Sequence, residues 1–223
     1  MKDKQALIAD GGPLAYKSLF RVFNCSGESS YFNATDLSIK DLEFKSASGT
    51  QLAKGSLFEI VNSEVTLKNL TVASIKAESG HPVLEITDDQ SEGSQASSVT
   101  VKNSTFLGCQ SLKDTAVLYY SGGKDLGEQT KSLSILSSSF SSNMAGNSSV
   151  LQFHSNNTIL VIDSVEADNN IAIESNSVGL FTGQIQSLDS GLGLGLSNSI
   201  KITNTKLFTN QALSGSSTMT FID

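Results

Sequence analysis

The 223-residue sequence has no tryptophan, only two prolines and two cysteines, and 15 basic residues against 22 acidic ones. Its net charge of −7 leads us to expect no nucleic-acid partner, because binding to phosphates needs a basic surface. No apolar run approaches the roughly 20 residues that span a bilayer, so we expect no membrane span within this chain. Two cysteines are too few for a disulfide framework.

Small polar residues are abundant instead, with 38 serines, 16 threonines and 15 asparagines. Apolar residues make up 38% of the chain and charged residues 17%, which is too apolar for a disordered acidic chain. This composition is unusual for an enzyme core and common in solenoid β proteins.

A short apolar strand recurs at intervals of 26 to 38 residues. It begins at Leu19, Leu57, Val83, Val117, Val150, Leu180 and Thr218. Between these strands lies a second one with apolar residues at alternate positions, which is the period-2 signal of a β-strand. It begins at Leu37, Val65, Val99, Leu133, Leu160 and Ile200.

Counting onward from the first residue of each second strand, such as Val65, gives further columns of similar residues. Four positions on are turn-forming residues: Asp41, Asn69, Asn103, Ser137, Ser164 and Asn204. Seven positions on, the column is Phe44, Val72, Phe106, Phe140, Ala167 and Leu207. Ten positions on, it is Ala47, Ile75, Cys109, Asn143, Asn170 and Asn210. Twelve positions on are small residues, which suit a tight corner: Gly49, Ala77, Ser111, Ala145, Ala172 and Ala212.

These columns predict an all-β fold, a right-handed parallel β-helix of about six to seven coils with three strands per coil. An immunoglobulin-like sandwich is the main rival, but it would show no fixed column register. We expect the β-helix over residues 19–223, as a fragment of a longer solenoid, and a cap or cover of the first coil over residues 1–18. Variable linkers fall between the first and second strands, as a solenoid tolerates.

The column ten positions on predicts a structural ladder inside the last coils. The side-chain amides of Asn143, Asn170 and Asn210 would stack about 4.8 Å apart, so that each one hydrogen-bonds to the amide of the next coil. Phe106 and Phe140 would stack beside them. We assign these five residues a structural role.

The segments Phe140-Ser-Ser-Asn143 and Leu207-Phe-Thr-Asn210 resemble the Phe-x-x-Asn half of the repeat in chlamydial polymorphic outer-membrane proteins. The other half of that repeat, Gly-Gly-Ala-Ile, is absent, and Ser148-Ser-Val-Leu151 stands in its place. The resemblance implies a cell-surface passenger or adhesin-type region without catalysis.

Candidate catalytic carboxylates fall in two groups, one in a linker and one on a second strand. Asp88, Asp89 and Glu92 are expected to be a solvated loop, with a loose calcium site as an alternative. Asp163, Glu166 and Asp168 lie in the fifth coil, and Asp163 is expected on a solvated surface, in the same outward column as Lys40, Lys68 and Lys102. Asp88 and Asp89 have no histidine or arginine at the corresponding positions of neighbouring coils. We therefore expect no catalytic residue, no metal site and no cofactor.

The sequence also offers lysines and histidines that could take part in binding, and we interpret them as surface residues. Lys40, Lys68 and Lys102 predict a solvent-facing basic stripe, which disfavours sheet aggregation and could hold an anionic partner. No metal-ligand spacing joins His81 and His154, and His154 is expected at the end of a strand near solvent.

Cys109 is expected to be a buried apolar thiol, too far from Cys25 for a disulfide. The segment Gly191-Leu-Gly-Leu-Gly-Leu196 predicts either an extra strand or an apolar loop that meets a partner.

Three functional hypotheses follow. The first is a structural or adhesive surface solenoid that contacts a host or neighbouring cell surface, matrix or other protein subunits. The second is a carbohydrate-binding or carbohydrate-degrading β-helix, and the third is a scaffold component of a large assembly. Six sequons, at Asn24, Asn33, Asn69, Asn103, Asn147 and Asn156, give weak support to a cell-surface or extracellular location, with the cytoplasm as the alternative.

Overall fold

Every regular element in the described part of the chain is a β-strand. The structure is a computed structural model, and it describes residues 20–23, 32–40, 43–44, 56–77, 80–88, 96–122, 131–155, 158–174, 178–182, 198–214 and 219–222.

The strands, numbered β1 to β25 along the chain, form one sheet of seven strands and three sheets of six. Sheet 1 contains β1 (Phe20–Phe23), β5 (Phe58–Val61), β9 (Leu84–Thr87), β13 (Leu118–Ser121), β17 (Leu151–His154), β21 (Gly179–Thr182) and β25 (Met219–Ile222). Sheet 2 contains β2 (Phe32–Thr35), β6 (Glu64–Lys68), β10 (Ser98–Lys102), β14 (Lys131–Leu136), β18 (Thr158–Asp163) and β22 (Ser199–Thr203).

The other two sheets are built from shorter strands. Sheet 3 contains β3 (Ser38–Lys40), β7 (Thr71–Ala73), β11 (Thr105–Leu107), β15 (Ser139–Ser141), β19 (Glu166–Asp168) and β23 (Lys206–Phe208). Sheet 4 contains β4 (Glu43–Phe44), β8 (Lys76–Ala77), β12 (Gln110–Ser111), β16 (Met144–Ala145), β20 (Ile171–Ala172) and β24 (Gln211–Ala212).

Each strand pairs in parallel with its counterpart one coil away. In sheet 2, for example, Val99 pairs with Val65 on one side and with Leu133 on the other. The predicted fold class is therefore confirmed: the chain is a parallel β-helix of about five to six coils, at the lower end of the predicted number.

The interior of the coils holds the aliphatic columns that the alternation predicted. Leu133, Ile135 and Phe140 are at most 2% exposed, whereas their neighbours along the strands are more accessible. Each buried aliphatic side chain stabilises the fold by about 1.5–3 kcal/mol relative to exposure.

Two corners of each coil use residues in the left-handed conformation. The first such column is the predicted turn column, and its members have φ between 47° and 56°: Asp36, Asn69, Asn103, Ser137, Ser164 and Asn204. Sequence reasoning missed the second column: Ser74, Gly108, Ser142, Asn169 and Thr209. Asn and Ser tolerate this conformation because their side chains bond to nearby backbone.

The wall has four strands per coil, and the prediction of three was wrong. The residues expected to make only a tight corner, including Ala77 and Ala145, pair as short strands of sheet 4. A run of two residues is too short to show an alternating pattern, so nothing in the sequence marked it as a strand.

The predicted register of the first coil was wrong by five residues. Phe32 pairs with Val65, whereas Leu37 was expected there. Asp36 occupies the left-handed turn that was expected five residues later in the sequence. The small Ala34 weakens the apolar alternation of β2, which made the later pair Leu37 and Ile39 look like the second strand.

A second, smaller register error concerns β21. We aligned Leu180 with Val150, but Phe181 pairs with Phe153, and Leu180 pairs with Gln152. The error is two residues, so it preserves the inward and outward sense of the strand. The predicted cap at residues 1–18 lies outside the described residues.

Candidate functional site

Asn143, Asn170 and Asn210 lie in one column, immediately before the strands of sheet 4. The Asn143 Nδ2 donates to Asn170 Oδ1 at 2.9 Å, and the Asn170 Nδ2 donates to Asn210 Oδ1 at 2.9 Å. Asn143 and Asn170 are fully buried, so these bonds form without competition from water.

The same amides also satisfy backbone groups of the preceding coil. The backbone N–H of Asn143 donates to Asn170 Oδ1 at 3.0 Å, and that of Asn170 donates to Asn210 Oδ1 at 3.0 Å. The second amide hydrogen of Asn143 reaches the Phe106 carbonyl at 3.2 Å, and that of Asn170 reaches the Phe140 carbonyl at 3.0 Å. The column therefore acts as an asparagine ladder that ties consecutive coils together.

Cys109 continues this ladder toward the N-terminus. Its backbone N–H donates to Asn143 Oδ1 at 2.9 Å, and the Ile75 backbone hydrogen-bonds to its sulfur. Burial raises the pKa of the Cys109 thiol to about 12, although that backbone contact opposes the rise. Cys109 is a free thiol, so it makes no disulfide with Cys25, which lies outside the described residues.

Phe106 and Phe140 lie one coil apart in sheet 3, with ring centroids 5.0 Å apart and planes inclined by 10°. Similar stacks occur in sheet 1 between Phe20 and Phe58, at 5.0 Å, and between Tyr120 and Phe153, at 5.2 Å. These stacked rings pack in the interior of the coils.

The outer face of sheet 1 carries a cluster that the sequence analysis did not identify. The His81 ring lies parallel to the Tyr119 ring with centroids 3.9 Å apart, and the His154 ring meets Tyr119 edge-on at 5.7 Å. All three side chains are partly exposed. We call His81, Tyr119 and His154 the sheet 1 aromatic patch.

Hydrogen bonds hold one edge of this patch. The Thr115 hydroxyl donates to Gln152 Oε1 at 2.6 Å, and Gln152 Nε2 lies 2.5 Å from His154 Nε2. Partial burial lowers the pKa of His154. The β13–β17 register places Tyr119 opposite Gln152 and Ser121 opposite His154. Comparing the outward-facing positions of these two adjacent strands could therefore have predicted the contact between Tyr119 and His154.

The interpretation of Asp88 as part of a solvated loop was wrong, because this residue is only 7% exposed. Its Oδ1 accepts the Ser97 N–H at 2.9 Å, and its Oδ2 accepts the Tyr120 hydroxyl at 3.3 Å. Burial and the Asp88 charge both raise the pKa of Tyr120. Asp89 and Glu92 lie outside the described residues, so their proposed calcium site is not described either.

Asp163 lies at the outer surface, as expected, and Glu166 and Asp168 are exposed in the same coil. Asp163 Oδ1 accepts hydrogen bonds from Thr203 at 2.5 Å and from Asn204 at 3.0 Å, and these bonds lower the pKa of Asp163. Glu166 pairs with Lys206 at 3.1 Å. These contacts join neighbouring coils and are typical of a solvated face.

The predicted basic stripe is shorter than expected. Lys68 and Lys102 pair in adjacent coils and are exposed, but Lys40 pairs with Ala73 in sheet 3, because of the register error in the first coil. Leu136 and Asp163 continue the column beyond Lys102. The segment Gly191–Leu196 lies outside the described residues.

Within the described ranges, no three histidine, cysteine, aspartate or glutamate side chains come together as a metal site would require. Nor do those ranges hold any helix with the length and apolar character needed to cross a membrane. Comparisons with protein families, with curated proteins and with solved structures found no match.

Proposed function

We propose that this chain is a non-catalytic structural or adhesive β-helix region at a cell surface. The observation that favours this function is the sheet 1 aromatic patch, a partly exposed group of rings on a rigid parallel sheet. Tyrosine is enriched where proteins meet their partners, because its ring gives a large contact area and its hydroxyl tolerates water.

The geometry of the patch suits recognition by a pre-ordered surface. Tyr119 is held between His81 and His154, and Gln152 fixes His154 in turn. A side chain that is already ordered loses little conformational freedom on binding, so more of its contact energy contributes to affinity.

The resemblance of Phe140–Asn143 to the Phe-x-x-Asn repeat of polymorphic outer-membrane proteins supports the same proposal. That family implies a passenger region whose partners are a host or neighbouring cell surface, matrix or other protein subunits. The location that accompanies this function is the cell surface or the extracellular space, as part of a longer protein.

The test is adhesion of the purified protein to cultured cells and immobilised matrix. Tyr119→Ala should reduce binding at least about tenfold, the loss expected for a central interface tyrosine. The control, Lys102→Ala, removes an exposed side chain from sheet 2 and should bind like the native protein. Absence of binding to any cell or matrix would reduce the role of this chain to a spacer.

Carbohydrate binding is the alternative that a specific observation favours. The register of sheet 1 places Tyr119 between Glu85 and Gln152, so an aromatic ring has a carboxylate and an amide as neighbours. A glycan array probed with the native protein and with Tyr119→Ala tests it. A glycan bound equally by both proteins would rule out the patch as its site.

The location can be tested at two sequons. Asn69 and Asn103 are exposed, lie at the same corner of adjacent coils and are followed by Thr71 and Thr105. Mass spectrometry of the natural protein should find glycans there if the protein enters a glycosylating secretory pathway. Unmodified asparagines with reduced cysteines would favour the alternative of an intracellular scaffold.

A further inference from the structure

The charged side chains on the outer face of sheet 2 change sign along the axis of the coils. In the described strands of this sheet they are Glu64, Lys68, Lys102, Asp163 and Lys201. Lys102 and Asp163 stand in one column, two coils apart, with Leu136 of β14 between them. The outward positions of β14 carry no charge, so this strand separates two lysines from a carboxylate.

The two lysines have no counter-ion within the described part of the chain. Lys68 and Lys102 are exposed, and no carboxylate there lies within salt-bridge distance of either ammonium group. Asp163, by contrast, accepts hydrogen bonds from the Thr203 hydroxyl at 2.5 Å and the Asn204 amide at 3.0 Å, which hold its carboxylate in place. One column therefore presents two unpaired cations and one ordered anion.

Apolar surface accompanies these charges near the middle of the face. Ile159 of β18 is 43% exposed, and Leu136 and Val161 are partly exposed. The other outward residues of the central strands β10 and β14 have small hydroxyl side chains: Ser98, Thr100, Ser132 and Ser134. An uncharged centre with charges toward the periphery is the composition of a protein interface.

We propose that the outer face of sheet 2 is a self-association surface, on which two copies of this chain pack face to face with their coils running in opposite directions. The two-fold axis lies along β14, so that strands at equal distances from β14 face each other. Lys102 then lies over Asp163 of the second copy, and Lys68 lies one coil from the same carboxylate. Glu64 faces the strand that carries Lys201, and Leu136 lies over its own counterpart.

The charges distinguish this arrangement from the other symmetric one, in which the coils of both copies run in the same direction and the strands are reversed. There Lys201 would face its own counterpart, and Asp163 would lie against Ile159 of the second copy. Like charges would repel, and a carboxylate would lose water without gaining a partner. An unrelated anionic partner would neutralise the lysines but not Asp163, whereas a second copy satisfies both.

The five strands of this face that follow β2 cover about 24 Å by 17 Å, or roughly 400 Å² on each copy. An interface of this size is small, so we expect a dimer with a Kd of about 100 µM that weakens as salt is added. The inference does not depend on the proposed adhesive function. At the nanomolar concentrations of an adhesion assay the chain is monomeric, so Lys102→Ala remains a suitable control there.

The test is sedimentation equilibrium of the full chain in low salt. Lys102→Asp should weaken the dimer at least about tenfold, because two symmetric ion pairs become repulsive contacts. Asp163→Lys should do the same, and the double variant, in which the charges are exchanged, should dimerise within about threefold of the native chain. The matched control is Lys76→Asp, the same charge reversal on the exposed face of sheet 4, which should leave the dimer unchanged.

Circular dichroism checks that each variant is folded. If Asp163→Lys is not, Asp163→Asn replaces it, because the amide keeps an oxygen for Thr203 and Asn204 while it removes the charge. This variant should also weaken the dimer. A native chain that stays monomeric at millimolar concentration, or an equal loss for Lys76→Asp and Lys102→Asp, would overturn the proposal. So would a folded double variant that does not recover, or a folded Asp163→Asn that dimerises like the native chain.

Disulfide formation under mild oxidation tests the orientation. Leu136→Cys should give a covalent dimer, with the linkage assigned to this position by peptide mapping, because the two copies of the residue meet on the axis. Thr66→Cys should not, because its counterpart lies four coils away, or about 19 Å. In the arrangement with coils in the same direction Thr66 would meet its counterpart and Leu136 would not, so the reverse result would also overturn the proposal.

Discussion

Single residues hold the coils together mainly by satisfying polar groups that stacking would otherwise bury unpaired. Each ladder asparagine offers one carbonyl oxygen and two N–H hydrogens, and Asn143 and Asn170 use all of them. Serines act in a similar way at another corner, where Leu70 N–H donates to Ser104 Oγ and Ser104 N–H donates to Ser138 Oγ. This explains why small polar residues are so frequent in this chain.

Asn143→Leu should lower the free energy of unfolding by about 3 kcal/mol, because it leaves the Cys109 N–H and other buried groups without partners. The measurement is urea denaturation followed by circular dichroism. The control Gln110→Ala changes a less buried neighbour of the ladder and should stay within about 0.5 kcal/mol. A similar loss for the two variants would show that the ladder adds no stability.

Cys109 should resist alkylation in the folded protein at pH 8 and react rapidly in denaturant, because its pKa is raised to about 12. A raised pKa also means that the folded state binds the thiol proton more tightly. This contribution is complete below the ordinary value of 9.0 and is lost as the pH rises toward 12. Cys109→Ala should therefore show a smaller loss of stability across that pH window, and an identical loss in both proteins would contradict the assignment.

The structural role of a residue could be predicted from the sequence where the same residue type recurs in successive coils. It was missed where the role depends on contacts between different columns. The turn residues Asn69 and Ser137 and the amides of the ladder stand in fixed positions, so their roles followed from spacing. Asp88 gave no such signal, because its burial depends on Ser97 and Tyr120, which lie 9 and 32 residues away. Predicting such contacts requires knowing how the chain runs from one coil to the next, which the sequence pattern does not give.

At the scale of elements, register determines which side chains share the interior. It was predicted correctly where consecutive strands have two strong apolar positions, as in β6, β10 and β14. The predicted register was wrong by five residues for β2, where Ala34 occupies one of the two apolar positions. It was wrong by two residues for β21, where Gly179 occupies one of them. Small residues weaken the hydrophobic contrast on which the period-2 signal depends.

Ile135→Asp should prevent folding or lower the free energy of unfolding by more than about 4 kcal/mol, because it places an unpaired carboxylate at a position that is only 2% exposed. Lys102→Ala, on the exposed face of the neighbouring strand, should change stability by less than about 0.5 kcal/mol. Thermal denaturation compares the two variants. A melting temperature for Ile135→Asp within about 2 °C of the native value would contradict the inward assignment of this column.

Ala167 interrupts the column of large side chains in sheet 3, and an apolar cavity of about 20 Å³ lies beside it, lined also by Phe140, Phe181 and Leu207. Ala167→Val should raise the melting temperature by about 2 °C, since filling such a cavity is worth about 0.5–1 kcal/mol. Ala172→Val is the matched control, because Ala172 is fully buried and does not line the cavity, so the variant should melt lower. If both variants melt lower, the cavity does not accommodate added methyl groups.

At the scale of the whole molecule, the described strands contact their counterparts in the coils on either side. Stability is then approximately a sum of coil and interface contributions, and in the 223-residue chain it should be lowest in the last described coil. Native-state hydrogen exchange should therefore be slowest in β10, β14 and β18 and fastest in β22 to β24. Uniform protection across sheet 2 would instead indicate that the molecule unfolds as a single unit.

The connections between sheet 1 and sheet 2 account for most of the variation in coil length. The path from Val65 to Ala77 has the same length as that from Val99 to Ser111, whereas β9 and β10 are separated by far more residues than β5 and β6. All of these unequal connections leave the coil at one corner. The four-strand cross-section of the described coils therefore stays nearly constant along the axis, while insertions and deletions concentrate at the corner between sheets 1 and 2, where they leave the stacked strands unchanged.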